Sequence, residues 1–523
     1  MRLFLALGFA ALLPAQEAKP PKPSSASPNA LFLGEVPQVI MTISPEGMRK
    51  LAQDPREYVE CSLREPGGLP LEKCLVKLKG SAGSFRQIND ARPGFSLRTD
   101  KTLKSQEFRG LGKFQLNNCA QDGTMLHERM AGEMARAAGV PASRCTHAYL
   151  TLNGKVQGTY VLKEGFNKEF LAAFFANTKG HLYDGGFVKD VEPDMEVDRG
   201  DPKDNVRLLE LIGAAAEGDP VKRTQRLEAI LDVDAYLRHL AIENILCHWD
   251  GYSFNRNNYR VYEDPAAGRF HFILHGMDQV FGQSNWYAFR PPGANIANAV
   301  WADPALRARY RQQFFNVYEK AFRRTDWSAR TLQVAADLGA RFRGIDPAEA
   351  KAWEQRGREA AGQFKGRLDE VRGQLEDAAK LQRAGATVPL ARYHWQESSD
   401  KGHLKVVDFD KRSCFHLQAA VGAENGGDFR LPLSVGPGRY RFNGYVRTLG
   451  VVGDKESPGA RLRVSGDSAN PANPAVVGTQ SSWRTFSYDF TVGAADPALI
   501  VELRARSGEA WFDRSTLTLT RLP

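Results

Sequence analysis

Beyond its first residues, no stretch of the chain approaches the roughly 18 uninterrupted apolar residues that a membrane-spanning helix needs. A polytopic membrane protein is thereby excluded. Runs of about five or six like charges are also missing, so the excess of Lys plus Arg (70) over Asp plus Glu (61) is spread along the length. With no recognisable reading module to concentrate that excess on one face, no nucleic-acid partner is expected. Cysteine is scarce, six in 523 residues, which rules out a disulfide scaffold, and no CxxC or Cys/His spacing suits zinc. No solenoid-type repeat appears. What is present is a globular balance, 42% apolar and 25% charged, long enough for two to four domains at about 150 residues each.

The N-terminus sets Arg2 before an apolar stretch from Leu3 to Leu13 and a small-residue exit at Pro14-Ala15-Gln16. This reads as a signal peptide over residues 1–18, and it predicts a secreted, periplasmic or cell-surface protein with no membrane span after cleavage. Residues 19–35 read as a Pro/Ser linker. Export permits disulfides, and Pro66-Gly67-Gly68, midway between Cys61 and Cys74, predicts a hairpin that sets those two cysteines opposite each other.

From Val36 to about Arg109, short alternating runs bounded by Gly, Pro or Asp predict a twisted antiparallel sheet. Residues 124–138 repeat Leu126, Met130, Met134 and Ala137 at helical spacing and stop at Gly139-Val140-Pro141. Asn153-Gly154 between two alternating runs predicts a hairpin, because Asn-Gly suits a type I′ turn. Residues 205–249 are mostly helical, with Asp232 or Asp234 able to cap the last helix, and 304–383 are helical again. From 388 to 523 the texture is all-β, a sandwich of jelly-roll type.

The segment that can carry chemistry runs from His248 to Gly282. Two strands around the turn near residue 266 would bring the residues entering the first strand and leaving the second to one end. Asp250, Asn255, Asn258 and Asp278 then converge. Carboxylates with amide oxygens are hard donors, suited to Mg²⁺ or Mn²⁺ holding a polyphosphate rather than to zinc. Protein kinases share this local grammar: an Asp beyond a helix end, an Asn five residues on, a hairpin, then an Asp ahead of Phe-Gly.

Several stretches, in order, resemble the CotH (spore coat protein H) family of atypical, secretory-type protein kinases. They include LKGSAGSF from Leu78, RPGFSLR from Arg92, FQLNN from Phe114, MLHERMAGEMARAAGVP from Met125, YLTLNGKVQGTYVLKEGFNKEFL from Tyr149, LDVDAYLRHLAIENILCHWDGYSFNRNNYRVYED from Leu231 and the final DQVFG. The resemblance implies an α+β fold: an atypical protein-kinase-like domain over 36–385, built from an antiparallel sheet lobe and a helical lobe, followed by the sandwich at 388–523. It also implies ATP and Mg²⁺ or Mn²⁺ as cofactors. Gly80 and Gly83 would let backbone approach the phosphates. Lys79 or Arg98 would bind them, with Lys77 a third candidate. Glu128 would pair with that cation, and Glu164 would sit near the nucleotide base. Asp250 would orient the attacking hydroxyl and accept its proton, or hold the metal. Asp278, with Asn258 or Asn255, would bind the metal. The chain departs from the family where a Trp-Asp-x-Asp run is replaced by His275-Gly276-Met277-Asp278, and the phosphate loop is altered to Lys79-Gly80-Ser81-Ala82-Gly83.

The sandwich resembles carbohydrate-binding modules, with Tyr445, Trp483 and Trp511 as candidate contacts for a glycan. The expected function is an exported kinase phosphorylating Ser or Thr of a surface or secreted protein, or, within that class, a glycan hydroxyl. The alternative is a non-catalytic adhesin or structural protein on the same scaffold.

Overall fold

The computed structural model describes residues 30–523 except 105, 282–285, 400–402, 420–424, 434, 456–457, 467–474 and 494–496. The expected signal peptide, most of the linker and Gly282 of the Asp-Gln-Val-Phe-Gly motif lie outside the described residues.

The first unit contains β1 (Gln38–Ile43), α1 (Pro45–Gln53), β2 (Val59–Arg64), β3 (Leu71–Lys79), β4 (Gly94–Arg98), β5 (Lys113–Asn117), α2 (His127–Ala137), β6 (Cys145–Leu152) and β7 (Lys155–Glu164). Its strands close into a barrel in the order β1-β2-β3-β4-β5-β7-β6. The alternating runs predict an antiparallel sheet, and every pairing but one is antiparallel. The exception is β1 with β6, in parallel register from Gln38↔Tyr149 to Met41↔Leu152. That pairing removes both sheet edges, which an open sheet would leave exposed. Alternation then sorts the side chains: Val76, Leu78, Phe95, Leu116, Tyr160 and Leu162 fill the barrel, while Lys79 and Lys163, one residue out of step, point away from it.

Helix α2 is inserted between β5 and β6 and sends Met130 and Met134 into a different core, that of the helical part. It begins later than its periodicity suggests because Asp122 forms a turn first. One Asp122 oxygen accepts the Thr124 N–H at 2.9 Å and the other accepts the His127 N–H at 2.9 Å.

The chain continues through α3 (Lys168–Ala172), β8 (Leu182–Asp184), β9 (Glu196–Arg199), α4 (Val206–Ala215), α5 (Pro220–Ile230), α6 (Val233–Ile245), α7 (Tyr252–Asn255), β10 (Tyr259–Asp264) and β11 (Arg269–Leu274). The β10–β11 hairpin forms as the sequence predicts and joins β8 and β9 in a four-stranded sheet. Asp232 caps α6, accepting from the Ala235 N–H at 2.9 Å, whereas Asp234 in the first turn binds Arg309. Next come α8 (Asn295–Trp301), α9 (Pro304–Val317), a π-helical turn (Tyr318–Phe322), α10 (Trp327–Phe342) and the 34-residue α11 (Pro347–Lys380). Arg367 of α11 is buried and donates to the carbonyls of Asn244, Ile245 and Trp286 at 2.7, 3.0 and 2.6 Å. It thereby ties this helix to the end of α6 and to the chain that follows Phe281.

The C-terminal unit is two sheets packed face to face. The larger contains β12 (Thr387–Pro389), β14 (His403–Phe409), β15 (Arg412–Ala419), β17 (Gly438–Val452), β19 (Gly478–Val492) and β21 (Ser507–Arg521). The smaller contains β13 (Gln396–Ser399), β16 (Asn425–Pro432), β18 (Gly459–Val464) and β20 (Ala498–Ala505). On β20, Glu502 is buried and receives Arg461 at 2.6 Å and Arg463 at 2.7 Å. Burial raises its carboxyl, but the hydrogen bonds and charges of Arg463 and Arg461 outweigh that and hold it at about 2. A depressed carboxyl contributes stability that is complete above its unfolded value and is lost as pH falls through the folded one. Acid titration followed by near-ultraviolet circular dichroism is expected to show the sandwich losing on the order of 3 kcal/mol between about pH 4.5 and pH 2. Glu502→Gln, less stable at neutral pH, should lack that phase.

Among the described residues, no helix is long and apolar enough to cross a membrane.

Candidate active site

The centre of the site is an ion pair absent from the sequence expectation. Lys163 on β7 and Glu128 in the first turn of α2 are 2% and 3% exposed, and their Nζ and Oε1 are 3.0 Å apart. Glu128 Oε1 also accepts the Gly276 N–H at 3.1 Å, while Oε2 is buried without a hydrogen-bond partner. His127, one residue earlier, holds the Asp278 carbonyl through Nδ1 at 3.1 Å. Consecutive residues of α2 therefore fix both ends of the Gly276–Asp278 turn. Burial works to raise the Glu128 carboxyl, but the charge and hydrogen bond of Lys163, then Lys79 and His248, hold it below its ordinary value.

Lys79, at the end of β3, joins the same cluster. It is enclosed, donates to Asn117 Oδ1 and lies within electrostatic reach of Lys163, Asp278 and Glu128. Burial, with the charge of Lys163, pushes it down to about 8. Burial also pushes Asp278 up to about 6, with the Glu128 charge adding to the effect against Lys79 and Lys163. The buried Glu128 and Lys163 are thus flanked by a second carboxylate, Asp278, and a second ammonium, Lys79, both half-buried.

Arg98 is not part of this cluster. It sits four residues along β4 from Gly94, the register partner of Lys79, a separation of about 13 Å, and it lies 3.7 Å from Asp100. Lys77 stacks over Tyr58 at 4.9 Å. Glu164 also turns elsewhere, because it takes a two-pronged bond from Arg144 at 2.9 and 2.5 Å. The structure therefore brings Lys79 and Glu128 together and leaves Arg98 and Glu164 outside. Alternation in Tyr160-Val-Leu-Lys163 was the signal that could have singled out Lys163, since its neighbours Tyr160 and Leu162 had to face the barrel.

The loop after Lys79 folds on itself. Gly80 has φ +115°, and a Cβ there would lie 2.9 Å from the Phe85 backbone. Gly83 has φ +82°. Ser84 and Phe85 donate their N–H groups to the Ser81 carbonyl at 3.1 and 2.9 Å, and Asn118 anchors the loop through the Ser84 carbonyl at 2.9 Å. The glycines provide a tight turn, while part of the amide complement serves the loop itself.

Asp250 follows the end of α6 and is held by three asparagines. Asn255 donates to Oδ1 at 2.6 Å, and Asn257 and Asn258 donate to Oδ2 at 3.0 and 2.7 Å. Asn258 also reaches the Asp250 carbonyl at 3.1 Å. The reversal that permits this uses left-handed backbone at Arg256 (φ +54°) and Asn258 (φ +51°), a conformation asparagine tolerates well. Asn257 was not foreseen. With both hydrogens of its amide NH₂ on Asp250, Asn258 has only Oδ1 left for a ligand.

Asn258 Oδ1 abuts Gly276, where a Cβ would come within 2.2 Å of it, and Gly276 has φ +63°. Gly276→Ala is expected to displace Asn258 and cost about 1–3 kcal/mol, read as a lowered denaturant midpoint. Phe281 packs on Phe364 of α11 at 4.6 Å and on His127 at 6.0 Å, joining the Asp278 segment to two helices. His275 is held by Arg260 at 2.9 Å, and Arg260 in turn binds Asp198 at 2.7 Å.

Among the described residues, no group of three or more His, Cys, Asp or Glu is arranged to hold a metal by itself. The donors present still suit a hard cation: the carboxylate of Asp278, raised by its partly buried setting and by the Glu128 charge, and the amide oxygen of Asn258. Mg²⁺ commonly takes one or two carboxylates and completes its shell with phosphate oxygens and water. The set fits a nucleotide-borne Mg²⁺ or Mn²⁺ rather than a resident metal.

On the sandwich, Trp511 is stacked against Phe409 at 4.6 Å and His416 at 4.9 Å, and is 9% exposed. Its ring is packing, not a platform, because the cross-strand neighbours His416↔Trp511 stack on it. Tyr445 is 37% exposed, and Arg412 lies over both its ring and that of Trp483, at 5.9 and 5.1 Å.

Residues 76–372 match the family described as CotH kinase protein. The chain is 23% identical over 292 residues to invasin CotH2 of Rhizopus delemar, covering 49% of this chain and 48% of that protein. It is likewise 23% identical over 196 residues to inner spore coat protein H of Bacillus subtilis, covering 34% of this chain and 52% of that one. The chain thus spans about half the length of these curated relatives. A solved family 61 carbohydrate-binding module in complex with β-1,4-galactotriose is 17% identical, with TM-score 0.20, over 24% of this chain and 88% of that one. The xylan-binding CBM22-1 domain of Paenibacillus barcinonensis Xyn10C is 12% identical, with TM-score 0.19, over 27% of this chain and 97% of that one. With more than half its length matched, from within β3 to within α11, the chain belongs to the CotH family.

Proposed function

We propose that the chain is an exported kinase-like enzyme that transfers the γ-phosphate of ATP to Ser or Thr hydroxyls of a surface or secreted protein. The observation that carries this reading is the buried Lys163–Glu128 pair, which is locked by Glu128 to the turn that presents Asp278. A buried cation oriented by a helix carboxylate is what phosphoryl transfer asks of a protein: positioning and charge compensation. Lys163 and Lys79 would take the phosphate oxygens, and the turn at Gly80 and Gly83 would cover them. Asp278 and Asn258 would hold Mg²⁺ or Mn²⁺, which supplies neutralisation of the β- and γ-phosphates. Asp250, oriented by its three asparagines, would accept the hydroxyl proton as the acceptor oxygen bonds to phosphorus and the bond to ADP breaks.

One observation favours a second reading, a non-catalytic surface protein that binds a protein or glycan partner. Both Asp250 oxygens already accept amide hydrogens, and the acid that the family carries ahead of Asp278 is replaced by Gly276. The exposed Tyr445 beside Trp483 would then be the first place to seek a glycan. Incubation of the purified protein with γ-labelled ATP and Mn²⁺ or Mg²⁺, beside a thermal-shift titration with ATP, separates the two. Label on protein with a nucleotide shift supports the kinase; neither label nor shift leaves the binding protein.

A further inference from the structure

Cys61 and Cys74 are direct register partners across the β2–β3 hairpin. Directly opposed residues of antiparallel strands have Cα atoms about 4.5–5.5 Å apart, inside the roughly 4.4–6.8 Å that a disulfide spans. Both side chains point into the barrel, 5% and 0% exposed, as do their neighbours Val59 and Val76 two residues along. Their Cβ atoms therefore lie on one face of the sheet, as a crossing bond requires. The register shift of this hairpin falls beyond Cys61, toward Leu63, and leaves the cysteine pair aligned. The other four cysteines are 119, 145, 247 and 414, and none of them is a register partner of another cysteine in the described strands.

We infer that Cys61 and Cys74 are a cystine site, joined when the chain folds in an oxidising compartment. The step is thiol–disulfide exchange with a protein or small-molecule disulfide. One thiolate attacks the donor to form a mixed disulfide, and the second displaces the donor thiol. The two cysteines lose two hydrogens, and the donor disulfide becomes a dithiol. Burial pushes Cys74 up to about 11 and Cys61 higher still, with the Cys74 charge adding to the effect on Cys61. Folded, the pair is inert, so the bond forms while the hairpin is still open to the oxidant. Once made, it pins the start of β3, the strand that ends at Lys79 and Gly80.

The inference rests on the export reading, and the experiment separates the two. The full chain is expressed with its own N-terminus, export is scored by sequencing the processed N-terminus, and the denatured protein is alkylated without reduction and mapped by mass spectrometry. In parallel, reduced protein is refolded from denaturant with oxidised glutathione. The expected result is a Cys61–Cys74 linked peptide pair with the other four cysteines alkylated, an unfolding midpoint that drops by roughly 5–10 °C on reduction, and a Cys61→Ser/Cys74→Ser protein insensitive to reductant. A chain that is not processed yet forms the bond on refolding overturns export alone. Six alkylated cysteines in both arms, or Cys61 and Cys74 linked elsewhere, overturns the cystine site.

Discussion

Replacing Lys163 with Met is expected to destabilise the barrel–α2 unit by about 3–5 kcal/mol, because it strands the Glu128 carboxylate in a site only 3% exposed with one remaining donor, the Gly276 N–H. The measurement is the urea midpoint of the wild type, Lys163→Met, Glu128→Gln and the double variant. Removing both charges exchanges a buried ion pair for neutral groups of similar volume, so the double variant should recover most of the loss. On the proposed kinase reading, nucleotide affinity should not recover with it, since Lys163 is one of the two cations assigned to the phosphates. That split between stability regained and binding still lost distinguishes a working ion pair from a purely structural one. A cost below about 1 kcal/mol for Lys163→Met would show that the pair is solvated in solution and that Lys79 is the effective cation.

The second large effect concerns the two aspartates. Asp250→Ala and Asp278→Ala are each expected to lower phosphate transfer at least about 10³-fold, the scale of removing a general base or a preorganised charge. Their stabilities should move in opposite directions. Asp250→Ala leaves the Asn255, Asn257 and Asn258 amides without their common acceptor and should be destabilising. Asp250→Asn is no gentler, because it sets a fourth amide NH₂ among three donors. Asp278 is the opposite case. Its folded value, about 6, lies above its ordinary one, so ionisation at neutral pH favours the unfolded chain, and this cost disappears as pH falls toward 4. Asp278→Asn should therefore gain on the order of 2 kcal/mol at pH 7 in metal-free protein and, on the proposed reading, abolish label transfer when Mg²⁺ or Mn²⁺ is supplied. Label retained in Asp278→Asn sinks the kinase mechanism; a destabilised Asp278→Asn would mean that Lys79 and Lys163 compensate the carboxylate fully.

Local pattern carried a large share of the architecture. The hairpins at Asn153-Gly154 and near residue 266, the α2 helix and the change to all-β texture after α11 depend on neighbouring residues: turn chemistry, period and capping. The convergence of Asp250, Asn255, Asn258 and the Asp278 turn was legible for the same reason, since one hairpin brings its own ends together. The sequence also pointed to Glu128 but not to its partner. Lys163 is 35 residues away, and only closure of the barrel, with β7 beside β5 and α2 laid outside, turns it toward the helix. Arg98 and Lys79 are equally basic and both end strands; the antiparallel register alone puts one in the cluster and the other about 13 Å along the sheet. Asn257 looked like one polar residue among several until two left-handed residues folded the loop around Asp250. Trp511, a candidate sugar platform by alternation, is stacked against His416 of the neighbouring β15 and Phe409 at the end of β14. Residue type and short-range period determined which elements form and which polar residues gather around Asp250. Tertiary structure decided which charged groups share a buried space, because that depends on long-range strand order and register, in which a slip of one residue turns a side chain to the opposite face.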